Sequence, residues 1–152
     1  MSSKQLKTSR EPSRKDHLPY EVRHIDDYPW EKIRWPGQNG KFVFHPRPER
    51  PREPNAGLLR FDPGSHHPEH YHGFSQVWYI LAGEIYIEGK LVKPGSVVYH
   101  PDPHFEAELH TPTGGEMVVV QFPGPTTGET PIYDDRFNKE ERIPVDEERV
   151  DL

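Results

Sequence analysis

The chain has 152 residues, enough for one domain with a sizeable core, but only 32% of them are hydrophobic. Its 18 prolines and 12 glycines disfavour long helices, its net charge of −6 argues against nucleic-acid binding, and the lack of cysteine excludes disulfides and thiolate ligands. No segment is apolar enough to span a membrane, and the polar start has no signal-peptide core. We therefore expect an all-β cytoplasmic protein that binds neither nucleic acid nor membranes.

Both ends of the chain are polar and cannot bury much surface. Residues 1–20 are rich in lysine and arginine, and residues 134–152 are mostly acidic. We expect a flexible basic tail and an acidic tail at these ends, flanking one domain at 21–133. The alternative is that an end forms an arm that pairs with a neighbouring subunit.

The domain begins with a lead-in segment and a stiff loop. Residues 24–35 mix charges with large apolar side chains, which predicts a short amphipathic or extended segment packed on the domain. Residues 42–44 predict a short strand. Four prolines between positions 45 and 55 predict an extended loop with polyproline character.

Short β-branched and aromatic runs then alternate with turn signals such as Asp62-Pro63-Gly64 and Lys93-Pro94-Gly95. The expected strands lie at 58–61, 76–81, 84–88, 91–92, 96–99, 105–109 and 117–122. Eight or so short antiparallel strands with such connections close most economically as a jelly roll. The sequence thus predicts a single jelly-roll β-barrel with extended N- and C-terminal segments.

Two histidines in this region have the spacing of a metal site. His70 and His72 stand two residues apart, so on a strand both imidazoles project from one face and can reach the same cation. His104 is placed to add a third nitrogen from a distant strand. Three such ligands leave positions open for water or substrate.

The region 56–122 resembles the two motifs of the cupin superfamily, through Pro63-Gly64, His70-Tyr71-His72, Gln76 and Gly83, then Gly89, Pro94-Gly95 and His104. The resemblance implies a jelly-roll barrel that holds one divalent metal ion, such as iron, zinc, manganese, nickel or copper. It gives His70, His72 and His104 as the ligands. A looser similarity, which includes residues 135–138, links the chain to small cupins that cyclise polyketides.

Gln76 stands where the cupin family most often has glutamate. An amide in place of a carboxylate removes one negative charge, so a bound ion becomes a harder Lewis acid. Gln76 is therefore expected either to coordinate weakly or to orient a water or substrate from outside the ligand set. In the second case another imidazole can become the fourth ligand, and the candidates are His66, His67 and His100, although His66 and His67 are most simply expected on a loop before the strand.

Further side chains are candidates for catalysis and for a pocket wall. Glu106 follows His104 by two residues and shares its face, so with Gln76 it is the expected catalytic group, although a solvated edge charge is the alternative. Trp78 shares the face of Gln76, and Ile80 follows it. These two residues are expected either to line a substrate pocket or to pack in the core.

A three-histidine site with open positions suits a small substrate that chelates through two oxygens. We therefore expect a metal-dependent enzyme for a carbonyl- or enol-bearing compound, with cyclase-like enolate chemistry or dioxygenase-type cleavage. A non-enzymatic cupin that binds a metal or metabolite is the alternative. Exposed edge strands also predict a homodimer, in which the segment before Trp35 or the strand at Phe42 adds to a second copy.

Overall fold

A computed structural model describes residues 13, 15 and 17–131 of the chain. The tail expected at 134–152, the stretch 135–138 and most of the tail expected at 1–20 lie outside these residues. Residues 17–20 are exposed and have no regular secondary structure. Among the described residues, no helix has the length and apolar character needed to cross a membrane.

The described residues form antiparallel β-structure and one short 3-10 helix at Ile25–Asp27. The strands are β1 (Glu31–Lys32), β2 (Gln38–Phe44), β3 (Asn55–Phe61), β4 (Ser65–His67), β5 (His70–His72), β6 (Ser75–Gly83), β7 (Ile85–Ile87), β8 (Lys90–Val92), β9 (Val97–His100), β10 (His104–Glu106), β11 (Leu109–Thr111) and β12 (Gly115–Phe122). They build a six-stranded sheet in the order β1-β2-β3-β12-β6-β9, a four-stranded sheet β4-β11-β7-β8 and the pair β10-β5. The final strand β12 lies between β3 and β6, a connection typical of jelly rolls. The all-β jelly-roll prediction is confirmed.

The hydrophobic core lies between the two larger sheets. Strands β3 and β12 alternate buried with partly exposed residues, as expected of strands with one face on a core. Met117 and Val119 of the six-stranded sheet join Ile85 and Leu109 of the four-stranded sheet in one buried cluster. Ile80 belongs to this cluster and is fully buried, at 0% exposure.

Two local expectations are wrong. The strand expected at 105–109 is two strands, because the chain leaves the pairing of β10 with β5 and enters the other sheet as β11, between β4 and β7. His66 and His67, expected on a loop, belong to β4. The turn at Asp62 closes within three residues through the bond from Ser65 N to Asp62 O, at 3.0 Å, so the next strand begins at once.

We predict that Ile80→Ala lowers the free energy of unfolding by about 2–5 kcal/mol, because it opens a cavity in the core. Its affinity for divalent metal ions should stay unchanged. Urea unfolding and metal titration measure the two effects. Leu91→Ala, at a position 44% exposed on β8, is the control and should change stability by less than about 0.5 kcal/mol. A stable Ile80→Ala variant that has lost metal affinity would contradict this assignment of Ile80 to the core.

Candidate metal centre

The pair of strands β5 and β10 brings the main polar side chains together. His104 lies opposite His72, and Glu106 lies opposite His70. Cross-strand partners share a face, as do residues two apart, so these four side chains point to the same side of the pair. The alternate residues Tyr71 and Phe105 point to the other side, where they are 50% and 68% exposed.

The carboxylate of Glu106 lies at the centre of the cluster and is buried, at 4% exposure. Its Oε2 is 3.1 Å from His70 Nε2 and 3.7 Å from His67 Nδ1, and its Oε1 is 3.4 Å from His72 Nε2. The three imidazoles around this carboxylate come from two strands, β4 and β5. Gln76 lacks the negative charge of the glutamate that cupins most often have at this position. Glu106 places a negative charge in the same cavity.

Gln76 contacts this carboxylate directly. Its side-chain Nε2 donates a hydrogen bond to Glu106 Oε1, and its Oε1 accepts one from Gln121 Nε2 at 3.2 Å. Gln76 lies opposite Gln121 on one side and His100 on the other, so these residues form one polar row on the inner face of the sheet. The amide of Gln76 thus orients Glu106, while its own oxygen is engaged by Gln121.

The backbone fixes the orientation of two imidazoles. His70 Nδ1 is 2.8 Å from the carbonyl oxygen of Pro68, and His104 Nδ1 is 2.9 Å from that of Pro101. Since a carbonyl oxygen only accepts, both Nδ1 atoms donate and each Nε2 can present a lone pair. His104 Nε2 is buried and has no hydrogen-bond partner among the described residues. Metal-binding histidines characteristically have such a second hydrogen bond.

The electrostatic state of the cluster also suits a cation. Burial opposes the charge of Glu106, but hydrogen bonds from His70 and His72 hold the pKa of its carboxyl well below the ordinary value. Burial opposes the charge of His70 as well, but the hydrogen bond to Glu106 raises its pKa. Burial lowers the pKa of His67 and of His100 to about 4. At neutral pH the cavity therefore combines the Glu106 carboxylate with neutral imidazoles at His67 and His100, the form in which histidine binds metals, while the contact with Glu106 favours a proton on His70 that a bound cation would replace.

These residues fit a divalent metal ion. His67, His70 and Glu106 form one group of candidate ligands, and His72, His104 and Glu106 form another, each with its ligand atoms within 4.8 Å of one another. Imidazole nitrogens with a carboxylate oxygen suit iron, manganese, nickel, zinc or copper. Both groups share Glu106, so its carboxylate lies at the centre of any metal site that these residues form.

The three candidates for the fourth ligand differ in their position. His66, a candidate fourth ligand, is exposed on the outer side of β4, 3.7 Å from Glu108. Its neighbour His67 points inward and is 2% exposed. The His100 ring lies 4.7 Å from that of His104 and 4.5 Å from that of Trp78, beside the cluster. The structure thus brings His67 and His100 to the cluster, whereas His66 lies apart from it.

The cavity is narrow, with about 20 Å³ of free space, enough for one water-sized group. Trp78 lines it and Ile80 does not. Buried Trp78 Nε1 and Gln121 Oε1 have no hydrogen-bond partner among the described residues. Arg34 and Trp35 form another side, with the Trp35 ring 5.3 Å from that of His70. These two residues were not predicted, because the connection between β1 and β2 carries no signal that links it to distant histidines.

We predict that Gln76→Glu lowers the stability of the metal-free protein by about 3 kcal/mol at neutral pH, because it places two carboxylates in contact in a buried site. The added carboxyl should have a raised pKa. The deficit should therefore shrink as the pH falls toward the ordinary glutamate value of about 4.3. Gln76→Met, which adds no charge, is the control and should show a weaker pH dependence. Thermal melts of both variants across pH test this, and parallel curves would contradict the contact between positions 76 and 106.

Comparison with known proteins identifies the fold. No protein-family model matches the sequence, and no curated protein matches it either. Among solved structures, the chain is similar to an RmlC-like cupin from Shewanella frigidimarina, with 24% identity, a TM-score of 0.55 and coverage of 71% of this chain and 95% of that chain. It is also similar to an acetylacetone dioxygenase from Acinetobacter johnsonii, with 13% identity, a TM-score of 0.60 and coverage of 80% and 89%. The polyketide cyclase RemF from Streptomyces resistomycificus has 17% identity, a TM-score of 0.54 and coverage of 77% and 89%. Since these identities are low, the likeness is one of fold, and the chain has the cupin fold that its two histidine motifs predicted.

Proposed function

We propose that this chain is a metal-dependent enzyme that acts on a small carbonyl- or enol-bearing compound. The observation that carries the proposal is the buried carboxylate of Glu106 with imidazoles around it. We assign His70, His72, His104 and Glu106 as the ligands of one divalent ion, with His67 and His100 beside them. The fold similarity to an acetylacetone dioxygenase and a polyketide cyclase supports the substrate class.

A divalent ion bound here supplies a Lewis acid, which polarises a substrate carbonyl and acidifies the neighbouring carbon. Hydrogen bonds within the protein fix the orientation of the proposed ligands. Gln121 orients Gln76, and Gln76 orients Glu106 through its amide. The carbonyls of Pro68 and Pro101 keep His70 and His104 turned toward the cavity. Gln76 is therefore a positioning residue in this proposal.

The walls of the cavity select the substrate. The indole N–H of Trp78 is a buried donor without a partner among the described residues, so a substrate oxygen that accepts this bond removes a desolvation penalty. A substrate larger than a water needs more than the present free space of the cavity, one side of which is formed by Arg34 and Trp35. The positive charge of Arg34 there favours an anionic or enolic compound.

We predict that each chain binds one divalent metal ion and that the His72→Ala variant loses it. A ligand that binds only the native state stabilises it by about 2.7 kcal/mol at a hundredfold excess over the dissociation constant. Elemental analysis of protein purified without an affinity tag, together with thermal melts, measures both effects. His110→Ala is the control, because His110 on β11 stacks on Tyr86 of β7 at a centroid distance of 4.9 Å and does not line the cavity. Full metal occupancy in His72→Ala would contradict the ligand assignment.

The function is tested with pentane-2,4-dione as a chelating probe and butan-2-one as the matched monocarbonyl control. We predict that the metal-loaded protein binds the diketone more tightly, because two oxygens can reach one ion. Ultraviolet difference spectra report binding, and mass spectrometry with oxygen uptake reports turnover. If the protein binds the diketone but does not convert it with any of the metals tested, the non-enzymatic alternative is favoured. The small volume of the cavity is also compatible with that alternative. Equal binding of both ketones would contradict the chelation proposal.

We predict that Trp78→Phe weakens binding of the same diketone about tenfold, since it removes one hydrogen bond to a substrate oxygen. Metal content should stay unchanged, because the phenyl ring retains most of the packing. Trp30→Phe is the matched control. Trp30 lies under the Arg60 guanidinium, 4.2 Å from its ring centroid, away from the cavity. Wild-type diketone affinity in Trp78→Phe would remove the indole N–H from substrate recognition.

A further inference from the structure

Apart from histidine nitrogens, two buried polar side-chain atoms of the described residues have no hydrogen-bond partner. They are Nε1 of Trp78 and Oε1 of Gln121. Both residues line the cavity, and they are 3% and 4% exposed. A buried polar atom without a partner is costly, so a ligand that supplies the missing partner binds more tightly for doing so.

A chain of hydrogen bonds that begins at Glu106 fixes which atom of Gln121 is left unpaired. A carboxylate only accepts, so Gln76 presents its Nε2 to Glu106 and its Oε1 to the opposite side. An amide oxygen also only accepts, so Gln121 presents its own Nε2 to Gln76 Oε1, at 3.2 Å. The negative charge of Glu106 therefore determines, through two amides, that Gln121 offers the cavity an acceptor.

Trp78 offers the opposite kind of group. The indole nitrogen carries one hydrogen and does not accept, so Trp78 Nε1 is a fixed donor. Trp78 lies opposite Val119, and Gln121 follows Val119 by two residues on β12, so the two side chains are diagonal neighbours on the inner face of the sheet. The wall of the cavity thus carries one donor and one acceptor whose roles are not interchangeable.

We propose that the substrate carries a hydroxyl group beside its carbonyl group and that Gln121 determines this specificity. The substrate hydroxyl donates to Gln121 Oε1, and the carbonyl oxygen accepts from Trp78 Nε1. This inference rests on the proposed function, because it narrows the substrate class of the same cavity. It adds a requirement that chelation alone does not impose, since an ether oxygen can also bind a metal ion but has no hydrogen to donate.

The requirement is selective because a wrong group is penalised. A compound with an ether or a second carbonyl in place of the hydroxyl leaves Gln121 Oε1 buried and unpaired, and sites built to bind a hydroxyl strongly reject analogues that lack it. Hydroxy ketones meet the requirement directly. A diketone meets it only as its enol, in which one oxygen carries a hydrogen.

The first test compares 1-hydroxypropan-2-one with 1-methoxypropan-2-one, in which a methyl group replaces the hydrogen of the hydroxyl. Calorimetric titration into the metal-loaded wild-type protein measures both affinities. We expect the hydroxy ketone to bind at least about tenfold more tightly, because the ether leaves Gln121 Oε1 without a partner. Equal affinities would overturn the inference, and this result depends on no variant.

The second test uses Gln121→Met, which keeps the length of the side chain and removes its hydrogen-bonding groups. At saturating metal, the preference for the hydroxy ketone over its methyl ether should fall about tenfold. Gln38→Met is the matched control and should keep the preference. Gln38 also lines the cavity, but its Oε1 already accepts a hydrogen bond from Trp35 N at 3.3 Å. An unchanged preference in a folded Gln121→Met variant would overturn the role of Gln121.

Pentane-2,4-dione separates this inference from the proposed function. If the diketone binds to the metal-loaded protein and the hydroxy ketone binds no better than its methyl ether, the chelation proposal stands and the hydroxyl requirement is wrong. If none of the three ketones binds, both are wrong.

Discussion

The buried carboxylate of Glu106 is the constraint on which the rest of the site depends. An ionised carboxyl at 4% exposure is costly unless opposite charge or hydrogen bonds compensate it. The protein surrounds it with His70, His72 and the amide of Gln76. This arrangement favours a positive charge inside the cavity, supplied either by a proton on an imidazole or by a bound cation. The same interactions thus stabilise Glu106 within the protein and suit the cavity to the metal ion that we propose.

Strand register and backbone carbonyls convert this constraint into a defined geometry. The pairing of β5 with β10 places His72 opposite His104 and His70 opposite Glu106, so a one-residue shift of either strand would turn its two side chains to the other face. The carbonyls of Pro68 and Pro101 then select which imidazole nitrogen faces the cavity. The positions of the proposed ligands therefore follow mainly from strand pairing, and the loop carbonyls determine which tautomer His70 and His104 adopt.

Local periodicity was enough to predict the part of the site that lies within single strands. The two-residue spacing predicted that His70 and His72 share a face and that Glu106 shares one with His104, and the structure has both arrangements. It could not show that Gln76 contacts Glu106, because that contact joins two strands of different sheets. His67 was one of the candidate ligands but could not be distinguished from His66, since β4 has only three residues and too few alternations to show which of the two points inward. Trp35 lines the cavity from the connection between β1 and β2, which is distant in sequence from the histidines, so local periodicity could not indicate it.

The central claim is that the carboxylate expected at position 76 is supplied from position 106. The most direct measurement is calorimetric titration of zinc or manganese into metal-free Glu106→Gln, which keeps the size of the side chain and removes its charge. Glu108→Gln is the matched control, because Glu108 lies two residues on and faces His66 on the outer side. The account predicts metal affinity at least about tenfold weaker in Glu106→Gln and unchanged in Glu108→Gln. Equal affinity in the two variants would contradict it.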